Sequence, residues 1–491
     1  MSVLLLAGLI LAISDATPVW IALLFCALLF MAVLFFIGDP KMVFLFCFIM
    51  TCTIDITKKL VTEGGLGLSI SLSDIFLVLF LILWFFEKTI VRREKIYVST
   101  LHKVALIYLV WIWINAFTSE YPLAAVLPAI TTTKYYLIFA ALSDYIENPK
   151  HIRTMLYGFG AGLALQLPMV IAQFITKSPL ELQGIKQTSI GVRLLFEKGG
   201  GIEAFRPLGF LKHPNELADY LVFILPTLFL LSFLERNSIG RTRWLACTSL
   251  LIAGLLCLVV TLSRGGWIST AGAFAVLCVA GFRKGIVSGR HLMVLFSASL
   301  AVMVTIAVLY PSAYLRITES DEHSIESRKL LNDQALLIIK RNPLMGVGFG
   351  SYNLAAQRNI PESFSHVVKA YQEELLKAVV HNKYLLVAAE NGLIGLALFL
   401  TLLFAFLRDF FKVRQWSTPI YYSLALGLTC GIAGQLLFYL FDNCYEDLRI
   451  ELLWIFFGFL AAMLKIQKGN LTNTVGVGNS LEQAMNVAVS P

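Results

Sequence analysis

Apolar runs long enough to cross a lipid bilayer recur along almost the whole 491-residue chain. A transmembrane helix needs about 20 mainly apolar residues, and runs such as 292–310 and 385–407 fit that length. Only 14% of the residues are charged, and the mean hydropathy is +0.77. No strand-like alternation typical of a barrel is present, and helices satisfy their own backbone hydrogen bonds in lipid. The sequence therefore predicts an all-α, polytopic membrane bundle.

The hydropathy pattern predicts about fourteen spans, or about twelve to thirteen if the first run is only a half-helix. Asp15 and Pro18 separate that short first run from the second. The predicted spans are residues 3–14, 17–37, 40–56, 70–87, 104–118, 123–143, 153–175, 215–234, 244–262, 266–281, 291–310, 384–407, 419–441 and 446–464.

Lysine and arginine in short loops favour the cytoplasmic side. They cluster in alternate loops, at residues 88–103, 150–153, 236–243, 283–290, 408–414 and 465–468, with Lys58 and Lys59 as the main exception. The short loops between these, around Ser119–Pro122 and Asp442–Asp447, contain no lysine or arginine. This pattern predicts that both termini are cytoplasmic and that the longer segments 176–214 and 311–383 lie outside.

The chain is thus predicted to have five parts. They are N-terminal spans at 1–175, central spans at 176–310 with an outer loop at 176–214, an extracytoplasmic helical loop at 311–383, C-terminal spans at 384–465, and a disordered cytoplasmic tail at 466–491.

The helical loop is expected to form a small cap. Its apolar spacing at 326–340 predicts an amphipathic helix, ended by Asn342–Pro343. A glycine-rich turn at Gly346–Gly350 follows, and a second helix is predicted from Pro361 toward Lys377.

Composition excludes several function classes. The net charge of +8 comes from basic residues dispersed among spans, and no nucleic-acid-binding module is visible, so no nucleic-acid partner is expected. The eight cysteines lie mostly in apolar runs without metal-ligand spacing, as small core residues do. No metal-hydrolase or nucleotide-binding motif occurs.

Arg264 is the most informative charged residue. It lies in the short turn Leu262-Ser-Arg-Gly-Gly-Trp267 between two predicted spans. A charge at this depth is costly and usually functional, and the glycines permit close approach of a backbone or ligand. The alternative is an interfacial arginine that snorkels beside Trp267. The predicted outer location, where arginine is disfavoured, argues against that alternative.

A second basic group surrounds the start of the span at 215–234. Arg206, Lys212 and His213 precede it, and Pro214 suits the first turn of a helix. A helix N-terminus with nearby cations favours an anion. These residues are therefore a candidate anion site.

The outer loop supplies the remaining candidates. His381 lies where the chain re-enters the membrane and is suited to accept a proton near neutral pH, although a lone histidine at a helix start is more often structural. Glu390 is predicted either to orient a neighbour or to pair with a buried cation. Arg328, expected to open the amphipathic helix, faces either solvent or the site.

Four segments together resemble the O-antigen ligase and polymerase superfamily. They are Phe205-Arg-Pro207 with Pro214-Asn-Glu-Leu-Ala218, Thr261-Leu-Ser-Arg-Gly-Gly-Trp267, Asn342-Pro-Leu-Met-Gly-Val-Gly-Phe-Gly-Ser-Tyr352, and His381-Asn-Lys-Tyr-Leu385 with Glu390-Asn-Gly392. The resemblance covers residues 200–400, whereas residues 1–150 resemble the superfamily only in hydropathy.

The resemblance implies a GT-C-like glycosyltransferase of the bacterial inner membrane that needs no metal or other cofactor. Its partners would be an undecaprenyl-pyrophosphate-linked glycan donor, a glycan or lipid-linked acceptor, and the bilayer. By motif, Arg206 and Arg264 align with the family's pyrophosphate-binding arginines and His381 with its proposed base. Arg328 matches an outer-loop residue of the family less closely. Contact with substrate is also expected of Lys212, His213 and Glu390.

Three functions are compatible with this pattern. A polysaccharide repeat-unit polymerase, inverting at the anomeric carbon, is favoured by the chain length. A ligase would transfer the glycan to lipid A-core, protein or another end acceptor. A lipid-glycan flippase is disfavoured because no internal repeat is visible and the charges lie at one rim, not at the membrane midplane.

Overall fold

The computed structural model describes most of the predicted spans. It describes residues 39–53, 57–61, 67–180, 192–196, 202–233, 240–283, 285, 287, 289, 311–318, 322–413, 419–443 and 450–467. The predicted spans at 3–14, 17–37 and 291–310, and most of the predicted tail, lie outside these residues.

Helices dominate the described residues and confirm the predicted all-α membrane bundle. Within them, eight helices are long and apolar enough to cross a membrane, judged by length and composition. Pro40–Thr51 and Tyr422–Phe438 are shorter apolar helices. Every predicted span that falls within the described residues coincides with a helix.

The helices are numbered here in chain order. They are α1 (Pro40–Thr51), α2 (Leu72–Phe86), α3 (Thr100–Thr118), α4 (Pro122–Tyr145), α5 (Pro149–Thr176), α6 (Pro214–Phe233), α7 (Arg241–Val260), α8 (Arg264–Arg283), α9 (Pro311–Thr318), α10 (Glu322–Arg341), α11 (Tyr352–Ala356), α12 (Lys369–Leu375), α13 (Lys383–Val413), α14 (Pro419–Phe438) and α15 (Ile450–Gln467).

The chain divides into two compact units. The first comprises the described parts of Met1–Lys95, Lys150–Leu217 and Val259–Leu262, and the second comprises those of Ile96–Pro149, Ala218–Leu258 and Ser263–Pro491.

The first unit contains two antiparallel hairpins that the sequence did not predict. Thr57–Val61 (β1) pairs with Gly67–Ser71 (β2), and Arg193–Phe196 (β3) pairs with Ile202–Phe205 (β4). The second hairpin lies within the predicted outer loop and ends immediately before Arg206.

Contacts within the second unit bring together the start of α3, the end of α4 and the end of α15. The charge pattern predicts that these ends lie on one side of the membrane. Lys465, near the end of α15, donates a hydrogen bond to the Asp144 carbonyl at the end of α4. It also lies 3.5 Å from Glu147. Tyr97, just before α3, donates its N–H to Asp144 at 2.8 Å. Three segments assigned to one side of the membrane therefore meet at one end of their helices.

The cap is helical, with two differences from the prediction. Helix α10 ends at Asn342–Pro343 as expected but starts at Glu322, so Arg328 lies inside it and does not open it. The predicted continuous helix from Pro361 was wrong. A 3₁₀ turn at Glu362–His366 and α12 replace it, because the two valines between them have extended backbones.

Helix α13 is broken at Gly392, whose φ is 69° and ψ 179°. The glycine-rich turn supplies the hydrogen bonds that the break removes. Val347 N–H donates to the Ala389 carbonyl at 3.0 Å, and Gly348 N–H donates to the Glu390 carbonyl at 2.9 Å. Because a backbone group without a partner costs several kcal/mol away from water, the break and the turn depend on each other.

Burial along α13 changes at the same residue. The side chains from Leu386 to Asn391 are buried. Beyond the break, Leu393 is 47% and Phe404 68% exposed. The helix from Leu393 to Val413 is about 31 Å long at about 1.5 Å per residue, close to the hydrocarbon thickness of about 30 Å. The predicted span at 384–407 lies within the candidate membrane span Lys383–Lys412.

Replacing Gly392 with alanine should destabilise the protein strongly. The new Cβ would collide with the Leu344 backbone, in addition to the strain of a positive φ. Gly240→Ala is the matched control, because Gly240 also has a positive φ (82°) but has open space around it. We expect a loss of about 3 kcal/mol or more for Gly392→Ala and about 1–2 kcal/mol for the control. Equal shifts in melting temperature of the two purified variants would contradict this account.

Candidate active site

Arg206 is buried and held from several directions within the first unit. Its side chain is 5% exposed. Its Nε donates to the Thr261 carbonyl and its Nη2 to Asn215 Oδ1, both at 2.7 Å. Its backbone N–H donates to the Val192 carbonyl, also at 2.7 Å. A buried guanidinium requires such partners, and together they fix its orientation. Thr261 lies three positions before Arg264 in the chain.

Two buried glutamines of α5 hold the irregular backbone that follows Arg206. Gln173 Oε1 accepts from Leu208 N–H at 3.0 Å and from Gly209 N–H at 2.8 Å. Gln166 Oε1 accepts from Phe210 N–H at 2.8 Å. No role for these two glutamines was predicted from the sequence. Two amides seven positions apart in an apolar run share one helix face, and that was the signal for them.

His213 caps the N-terminus of α6. Its Nδ1 accepts from Asn215 N–H at 3.0 Å, as an N-cap side chain does. Lys212 N–H donates to Glu216 Oε2 at 3.1 Å, which completes a reciprocal cap. The structure thus connects Arg206 to His213 through Asn215. This gives His213 a structural role and identifies Asn215 as a residue that the sequence analysis missed.

Arg264 is half-buried and is the first residue of α8. Its Nε donates to the Arg316 carbonyl at 2.7 Å, which fixes the guanidinium. A cation at the positive end of a helix is unfavourable unless an anion is nearby. An anionic ligand would therefore be attracted by the Arg264 guanidinium and by the N-terminus of α8. Gly266 serves packing, because a Cβ there would lie 2.7 Å from Ala218 Cβ.

His381 is exposed and lies immediately before the cap of α13. Asn382 Oδ1 provides that cap by accepting from the N–H groups of Tyr384 at 3.0 Å and Leu385 at 3.1 Å. Arg328 is half-buried on α10. His381 is therefore held at a helix start with access to solvent.

Glu390 is buried and organises the glycine-rich turn. Its carboxylate accepts hydrogen bonds from the backbone N–H groups of Gly350 and Tyr352, with a distance of 3.3 Å to Tyr352. It also interacts electrostatically with Lys383, whose side chain is buried as well. Both predicted roles are present, because Glu390 orients the neighbouring turn and interacts with the buried cation Lys383. Its contact with substrate stays a prediction.

Asn115 of α3 is a further residue that the sequence analysis missed. Its Oδ1 accepts from Phe349 N–H at 2.8 Å, and its Nδ2 donates to the carbonyls of Met345 and Glu390. One buried amide therefore joins the turn to the part of α13 that precedes the break. A single asparagine in an apolar span was its only signal in the sequence.

Residues 249–400 match the family model described as O-antigen ligase. The resemblance to the O-antigen ligase and polymerase superfamily is thereby confirmed over this stretch. Arg264, Arg328, His381 and Glu390 lie inside the O-antigen ligase match, whereas Arg206 precedes it. The described part of the chain also has eight helices long and apolar enough to cross a membrane, which indicates a multi-pass membrane protein. A comparison with the curated proteins gave no match.

Asn215→Ala should weaken activity by releasing Arg206. The substitution removes the acceptor at Nη2, and a misplaced charged group typically lowers catalytic efficiency about 10²-fold. Asn215→Asp keeps an acceptor oxygen and should retain most of the activity. Glycan transfer by the purified variants, each compared with its own melting temperature, measures the effect. Equal activity of the alanine variant and the unsubstituted protein would remove Asn215 from this role.

Proposed function

We propose that the protein is a polysaccharide repeat-unit polymerase. It transfers a glycan from undecaprenyl pyrophosphate to an acceptor hydroxyl on another lipid-linked repeat. The observation that carries this proposal is the position of Arg264, fixed by the Arg316 carbonyl on the positive end of α8 within the O-antigen ligase match. That position suits a diphosphate.

The arginines would stabilise the leaving group. As the bond between the anomeric carbon and the phosphate oxygen breaks, negative charge develops on the departing diphosphate. Guanidinium groups bind phosphate oxygens in a bidentate manner. Preoriented donors in a poorly hydrated site stabilise this charge more than water does. Arg206 and Arg264 are both held by backbone carbonyls, so each is oriented before substrate arrives.

His381 is the proposed general base. Its imidazole would take the proton from the acceptor hydroxyl as that oxygen attacks the anomeric carbon. With one base and no carboxylate nucleophile assigned, a single displacement gives inversion. The charge pattern supports a site on the outer side of the inner membrane, with both termini cytoplasmic.

Two other functions stay as alternatives. A ligase would use the same donor but an end acceptor such as lipid A-core. A flippase would move the lipid-linked glycan without breaking a bond. The chain length favours the polymerase, and the proposed base favours bond breakage over transport.

Arg264→Ala should lower glycan transfer at least about 10²-fold, because a preoriented donor to the developing charge is lost. Arg283→Ala is the matched control, since Arg283 is an exposed arginine at the other end of the same helix. Transfer is measured on purified full-length protein present in equal amounts. Normal chain lengths from Arg264→Ala would exclude Arg264 from the mechanism.

His381→Ala should lower transfer about 10²–10⁴-fold through loss of the base. His366→Ala provides the control, as another exposed histidine of the cap. The acid limb of the pH profile should also disappear in His381→Ala, a change that a merely structural histidine would not produce. An unchanged pH profile would assign the base to another residue.

Incubation with lipid-linked repeats alone separates the three functions. A ladder of longer products identifies a polymerase. Product that forms only after a second type of acceptor is added identifies a ligase. Movement of the intact donor across vesicles without any product identifies a flippase.

A further inference from the structure

The turn after α10 lies beside Leu393, the first strongly exposed residue after the break in α13. Leu393 N–H donates to the Pro343 carbonyl at 2.8 Å, and Gly346 N–H donates to the Asn342 carbonyl at 3.1 Å. Asn115 donates to the Met345 carbonyl. Because α3 and α13 both hold it, the turn at 342–346 is fixed beside the break in α13.

Apolar and basic side chains are exposed together on this segment. Leu344 is 61% and Leu336 53% exposed, and Lys340 and Arg341 are also exposed. The exposed Leu393 is close to this segment in space, since the Leu344 backbone packs directly against Gly392.

This composition is typical of segments that lie in the membrane interface. Apolar residues enter the boundary of the hydrocarbon, and lysine or arginine beside them attracts anionic headgroups. The opposite face of α10 is already occupied, because Ala335 and Ile338 belong to the core of the cap. Helix α10 therefore has one face in the protein and another that is suited to lipid.

We propose that residues 336–345, the interfacial segment, bind the outer membrane-water interface. Leu336 and Leu344 enter the apolar boundary, and Lys340 and Arg341 bind the phosphates of anionic phospholipids. Arg341 also donates to Asn359 Oδ1 at 2.8 Å, which connects the lipid contact to the rest of the cap. The segment would hold the cap at a fixed height above the membrane. This inference does not depend on the reaction that the protein catalyses.

Spin labels on Leu344→Cys and Ile325→Cys test the depth of the segment. Ile325 is the matched control, because it is 57% exposed near the other end of α10. The full-length protein is placed in phosphatidylglycerol-containing vesicles, and the signal from the native cysteines is subtracted using unsubstituted protein. The label at 344 should collide with oxygen several times more than with a water-soluble nickel chelate, and the label at 325 should show the reverse. Equal nickel accessibility at both positions would overturn the proposal.

Lys340→Gln tests the headgroup contact. Native mass spectrometry of protein released from nanodiscs that contain phosphatidylglycerol should show severalfold less bound lipid for this variant. Lys329→Gln, an exposed lysine on the same helix, should retain normal occupancy, and Lys340→Arg should restore it. Unchanged phosphatidylglycerol binding in Lys340→Gln would contradict the proposed contact, as would an equal loss in Lys329→Gln.

Discussion

The break in α13 at Gly392 is the constraint on which the rest of the second unit depends. An interrupted apolar helix needs partners for the backbone groups that it frees. The glycine-rich turn provides them from one side, and Asn115 and Glu390 hold that turn in place. The path of the cap from α10 to the start of α13 follows from this pairing, because α10 ends where the turn begins.

Each arginine proposed to bind the diphosphate is fixed by a backbone carbonyl, and several candidate residues stand at a helix start. His213 caps α6, Arg264 is the first residue of α8, and His381 precedes the cap of α13. Helix N-termini carry partial positive charge. Candidate residues at three helix N-termini suit an anionic substrate. The caps at α6 and α13 also stabilise their helices.

The sequence predicted features that follow from local physics. Hydropathy located the spans, and Pro343 marked the end of α10 because the residue before a proline avoids helical backbone. It did not predict what the glycines of Gly346–Gly350 do, because their partners are distant in the chain. It also missed Asn115 and Gln173, whose roles depend on which backbone groups lie opposite them in the folded protein. The break at Gly392 was missed for the same reason.

We propose that fixed guanidinium groups allow the diphosphate to leave without a metal ion. The most direct measurement is release of undecaprenyl pyrophosphate by purified full-length protein, with the lipid-linked repeat as sole substrate, in the presence and absence of a strong chelator. The account predicts equal release rates, coupled to glycan growth. Loss of release in the chelator, restored by adding a divalent cation, would contradict it.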